Sequence, residues 1–187
     1  MILPNPDYRA PLVSQRPQAV ANQPQALCHQ REAARHLREA VLLLHRPERG
    51  AAEDADLMRA AMATWECAAL SGIPTARISA GLLLAQTQLV LGQAQAAVVT
   101  AERVRRFARG TPQAAPAATR ALLVGAKAWH QLGNAANGDH LLALARVLVE
   151  TCNDPDERCR LREQCDLVAV DPTITTTATS ASPLPKP

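Results

Sequence analysis

Three glycines, Gly50, Gly92 and Gly133, stand 42 and 41 residues apart, each between two stretches in which apolar residues recur with helical spacing. A near-constant period of this length marks a stacked helical array, because one helical hairpin cannot bury its apolar face without a neighbour of the same kind. Other positions keep the register. Five residues after each glycine come Ala55, Ala97 and Gly138, and seven before come Leu43, Ala85 and Ala126. Twelve after come Met62, Val104 and Ala145, and eight before come Leu42, Leu84 and Gly125. Small residues belong near such turns, since two helices joined by a short link approach most closely there. Ala85 with Ala97, and Ala126 with Gly138, are the expected contact pairs. The first repeat is less regular, because Leu43 stands where the other two have alanine.

Seven stretches carry the 3.6-residue period and predict helices over about 24–46, 53–71, 74–91, 93–109, 113–132, 134–152 and 154–170. Alanine and leucine dominate them. The aromatic residues are Tyr8, Trp65, Phe107 and Trp129, so strand formers are scarce. Gly72 and Gly110 supply stops, and Pro74 and Pro116 fit first turns. The seventh helix has the fullest start signal: Asp154 as cap, Pro155 in the first turn, and Glu157 three residues after the cap to complete a capping box. Short links between consecutive helices make antiparallel neighbours. The expected fold is therefore all-α, with about three stacked antiparallel hairpins and a C-terminal capping helix. That last helix would turn Leu161, Cys165 and Val168 inward, with Arg158, Arg160, Arg162 and Glu163 largely outward. A helix swapped between two copies, giving a homodimer, is the alternative use for it. Residues 1–23 and 171–187, rich in proline or in threonine and serine, read as a disordered arm and tail around a domain at 24–170.

Several function classes lose support on the same grounds. The formal net charge is +3, too weak to imply a nucleic-acid partner. The densest basic run, Arg103 to Arg109, falls at the end of the fourth helix, where cations complement the helix dipole and Glu102 can pair with Arg106. A nucleic-acid-linked regulator using that run is the second functional reading. No apolar run reaches membrane-span length, and the start lacks a basic end followed by an apolar stretch, so a cytoplasmic protein is expected. Cys28, Cys67, Cys152, Cys159 and Cys165 lack the close pairing of a zinc site and read as free thiols. No phosphate-binding glycine loop, G-x-S-x-G elbow or H-E-x-x-H pattern occurs, so neither catalytic residues, a metal nor a cofactor is expected.

The runs Leu84-Ala85 through Leu91-Gly92 to Ala97, and Gly125-Ala126 through Trp129 and Leu132-Gly133 to Gly138, resemble the tetratricopeptide repeat. That motif has a small residue and an aromatic on its first helix, a glycine turn, and an alanine on its second. Trp129 takes the aromatic position, while Gln88 and Arg46 stand there in the other repeats. The period exceeds the family's usual ~34 residues by about a turn per helix. The resemblance spans roughly residues 36–152. It implies a concave face lined by the first helix of each hairpin, holding a peptide or protein segment. Transferred by position, that face has Leu82, Gln86 and Leu89 in the middle repeat and Arg120, Leu123, Lys127 and His130 in the third. Arg120 and Lys127 are seven residues apart and flank Leu123, which suits an acidic or carboxylate-ended peptide. The expected role is a bacterial adaptor or chaperone-like binding protein.

Overall fold

The computed structural model describes residues 23–111 and 114–170 of the 187 in the chain. The described residues form seven helices and no strands: α1 (Gln23–Leu44), α2 (Ala51–Ser71), α3 (Pro74–Val90), α4 (Ala94–Ala108), α5 (Ala114–Gln131), α6 (Ala135–Val149) and α7 (Pro155–Val170). The expected arm and tail lie outside the described residues, except for Gln23, which opens α1. No described helix is long and apolar enough to cross a membrane.

Each helix packs on the next one in the chain. In addition α1 touches α3, α3 touches α5 and α5 touches α7, so the odd-numbered helices form a continuous row. The buried positions recur along the chain. Ile78, Ala80, Leu83 and Ala85 of α3 are matched 41 residues on by Thr119, Ala121, Val124 and Ala126 of α5, all buried. The same step takes Ala97, Val104 and Ala108 of α4 to Gly138, Ala145 and Val149 of α6, again buried throughout.

The first two helices follow a different step, and this corrects the glycine register. The buried Leu57, Ala61, Thr64 and Ala68 of α2 recur 40 residues on in α4, as Ala97, Ala101, Val104 and Ala108. Ala33 and Ala40 of α1 recur 45 residues on, as Ile78 and Ala85. Matched buried positions of α1 and α2 thus stand five residues further apart than those of α3 and α4, and Gly50 lies in the longer link between them. Leu42, Ala55 and Met62, counted from Gly50, are accordingly exposed, whereas their counterparts in the later turns are buried.

Backbone geometry gives the reason. Gly92 and Gly133 have φ of 72° and 74°, the left-handed conformation that only glycine adopts without strain. They end α3 and α5 in the same way: Gln93 N–H donates to the Gln88 carbonyl at 2.8 Å, and Asn134 N–H to the Trp129 carbonyl at 2.9 Å. Gly50, with φ −84° and ψ 166°, is instead the extended N-cap of α2. In that first turn Arg49 does the work of ending α1. Its guanidinium donates to the carbonyls of Leu44 (2.8 Å) and Arg46 (3.1 Å) and to Asp54 Oδ1 on α2 (3.0 Å). Orphan helix carbonyls are thereby satisfied by a cation that also favours the negative end of the dipole.

At the other end, α7 turns Leu161 and Cys165 fully inward, with Val168 packed beside them, against Leu122, Leu123 and Ala126 of α5 and Leu142, Ala145 and Val149 of α6. Burial of Leu161 alone stabilises this docking by about 2 kcal/mol. Asp154 caps the helix, accepting from the N–H groups of Asp156 (3.0 Å) and Glu157 (3.3 Å). The Glu157 carboxylate accepts from Arg120 on α5, so it ties two helices together where a capping box was expected.

Candidate functional site

On α5, Arg120, Leu123 and Lys127 share one face because they stand three and four residues apart. Gln86 of α3 joins them across the α3–α5 contact. Together with Gln164, Leu167 and Val168 of α7 they line one cavity of about 280 Å³. Four of the seven residues expected on the binding face therefore meet at one place. Leu123 forms the buried floor, while Gln86 and Lys127 are exposed at the rim. The ion pairs among the described residues leave Lys127 without a partner. The α7 wall was not foreseen, since that helix reads as a cap alone. Leu167, 68% exposed beside the half-buried Val168, is the apolar residue that marks this wall in the sequence.

The other three residues lie elsewhere. Leu82 lines a second cavity of about 440 Å³, between Ile78, Arg120 and the segment that leads into α7. Arg120 borders both cavities, its guanidinium held by Glu157. Leu89 is buried among Ala85, Ala94, Ala97 and Val124, and is no part of any rim. His130 Nε2 is 3.4 Å from Asp139 Oδ1 of α6, and its ring lies against Gly138. Leu89 and His130 occupy the last turn before a short link, and there the following helix covers them.

Two of the four arginines at the end of α4 pair with Glu102 of the same helix. Arg105 donates to Glu102 through Nε (2.7 Å) and Nη2 (2.9 Å), and Arg106 adds a third bond at 3.0 Å. The Arg105 hydrogen bond, above all, holds the Glu102 carboxyl below the ordinary carboxylate range, against a smaller opposing effect of burial. Arg105 and Arg106 thus share a single carboxylate, which offsets one of their two charges. The acidic group at the start of α2 is likewise paired, with Glu53 on Arg46, Asp54 on Arg49 and Asp56 on Arg59.

Among the described residues no three histidine, cysteine, aspartate or glutamate side chains converge as metal ligands. Burial, above all, pushes the thiols of Cys165 and Cys152 above their ordinary range, which favours the protonated form. A third cavity, about 480 Å³, opens on the opposite side of α5 between α4 and α6. It went unread in the sequence, although Leu144 and Val147 of α6 are exposed beside it. Compared with protein-family models, with curated proteins and with solved structures, the chain finds no match.

Proposed function

We propose that the chain is a peptide-binding scaffold of the tetratricopeptide-like kind, and that the groove between α3, α5 and α7 is its binding seat. The observation that carries this reading is the convergence of Gln86, Arg120, Leu123 and Lys127 on one cavity. The row of odd-numbered helices supports it, since stacked hairpins present their first helices on one face. The cavity lies just below the roughly 300 Å³ at which pockets begin to engulf small ligands. A peptide end or one side chain fits it better than a cofactor. Lys127 supplies a free cation for a carboxylate, and Leu167 and Val168 supply the apolar contact. Five unpaired cysteines agree with a reducing, cytoplasmic setting for this role.

The test is a fluorescence-anisotropy screen of the full chain against peptides with free and amidated C-termini. Preference for the free carboxylate, lost in Lys127→Ala and weakened by salt, is the expected result. Binding that ignores both the terminal charge and Lys127 would overturn the assignment of the seat.

A further inference from the structure

The cavity between α4 and α6 lies on the face of α5 opposite to Lys127. Ala114, Ala118 and Leu122, four residues apart, form its floor, whereas Arg120, Leu123 and Lys127 point about half a turn away. A second, separate hollow lies beyond it along α5. This smaller hollow, of about 160 Å³, shares Leu122 and Arg105 with the first and carries the floor on through Gly125 to Trp129. Together the two hollows span α5 from Ala114 to Trp129, about 20 Å at the rise of a helix. Their two walls differ in character. The α6 wall is apolar, and at its rim Val147 is 70% exposed and Leu144 42%. The α4 side ends in Arg105 and Arg109 at the larger hollow, with Glu102 joining Arg105 at the smaller one. Arg105 is paired with Glu102, but the ion pairs of the described residues do not include Arg109.

We propose that this pair of hollows receives an amphipathic helix of a protein partner, its apolar face on α5 and α6 and acidic residues along its edge nearest α4. The length suits about four helical turns, with anchors at the i, i+3 or i+4, and i+7 positions that such grooves read. The cation at one edge, opposite a wall without charge, fixes both the orientation of the incoming helix and the sign of its flank. Two hollows in line along α5 fit a helix better than a small lipid, which needs an enclosed chamber to lose most of its surface. The site is separate from the seat at Lys127, so the chain would hold two different segments on opposite sides of α5.

The experiment is selection of the full-length chain against a displayed library of amphipathic helical peptides. The apolar stripe is held fixed and the flanking positions vary between glutamate and lysine. Enrichment of glutamate on one flank is expected. Val147→Asp, at a position whose side chain is mostly in solvent, should weaken the selected peptides by about tenfold or more without changing the circular dichroism. Arg109→Glu should reverse the preferred flank charge, and Lys127→Ala should leave the selection as it was. Lack of enrichment, enrichment of lysine, or binding that survives Val147→Asp would each overturn the proposal. So would saturable binding of dodecanoate at the hollows with no peptide selected.

Discussion

Arg120 on α5 donates to Glu157 in the first turn of α7, and this ion pair stands between the two cavities on that side of the molecule. Its position changes what Arg120 can do. A guanidinium already committed to a carboxylate offers less to an incoming anion than Lys127 does. The Glu157 side chain is only 17% exposed, while Arg120 is 42% exposed. Arg120→Ala should therefore cost about 1 kcal/mol, because it leaves a partly buried carboxylate unpaired at a site that solvent still screens. A double-mutant cycle with Glu157→Gln, followed by urea denaturation, should return a coupling of about 0.5–1 kcal/mol. Zero coupling would mean that the pair does not hold α7 in place.

The turn glycines separate cleanly by conformation. Gly92→Ala and Gly133→Ala place a Cβ in the left-handed region and should each destabilise by about 1–2 kcal/mol, although nothing else crowds either position. Gly50→Ala meets open space at an ordinary φ and loses only the N-cap preference of glycine over alanine, so its cost should stay below about 1 kcal/mol. Arg49→Ala should exceed it, since the α1 carbonyls lose their donor. Thermal melts of the four variants decide the matter. An equal loss at Gly50 and Gly92 would restore Gly50 to the repeat.

These contrasts show where the sequence is transparent. Helix spans were legible because periodicity, prolines and caps are local signals, and Asp154 caps as its neighbours foretell. The helix ends at Gly92 and Gly133, 41 residues apart, were legible, and both glycines take the left-handed conformation. The register failed at Gly50 because a glycine at an N-cap and one in a left-handed stop look alike as letters. The candidate site was half legible. Leu82 and Leu89 are seven residues apart and share a helical face, yet α4 folds back over Leu89 and leaves Leu82 beside a cavity. His130 meets the same fate under α6. How far a following helix overlaps the last turn depends on tertiary packing, to which local spacing is blind.

Gly81 of α3 has a different purpose from the turn glycines. A Cβ there would sit 2.9 Å from Trp65 Cζ3 and closer still to Val104, both packed side chains of neighbouring helices. Alanine would gain about 1 kcal/mol of helix propensity and lose more to overpacking. A net destabilisation of about 1–2 kcal/mol is expected for Gly81→Ala. Gly138→Ala crowds only the His130 ring, which is partly exposed and can turn aside. Its net cost should be the smaller of the two, and His130→Ala should remove what remains. A denaturant series in which Gly138→Ala proves the more damaging would show the His130 ring to be as fixed as Trp65.

The buried thiol of Cys165 gives a pH dependence with a definite sign. Its pKa in the folded chain lies above the ordinary 9.0, chiefly because burial among α5, α6 and α7 disfavours the thiolate. Below that ordinary value both states keep the proton and the contribution to stability is complete. As pH rises past about 9 the unfolded chain releases its proton first, so stability falls. Cys165→Ala should flatten this alkaline loss while lowering stability at neutral pH through the cavity it leaves. Alkylation offers an independent reading. At pH 8 iodoacetamide should modify the exposed Cys28 and Cys159 readily, and Cys165 only at the rate at which α7 opens. If Cys165 reacts as fast as Cys159 in the native protein, α7 is not docked on α5 and α6 in solution, and the groove it shares with Lys127 is not formed.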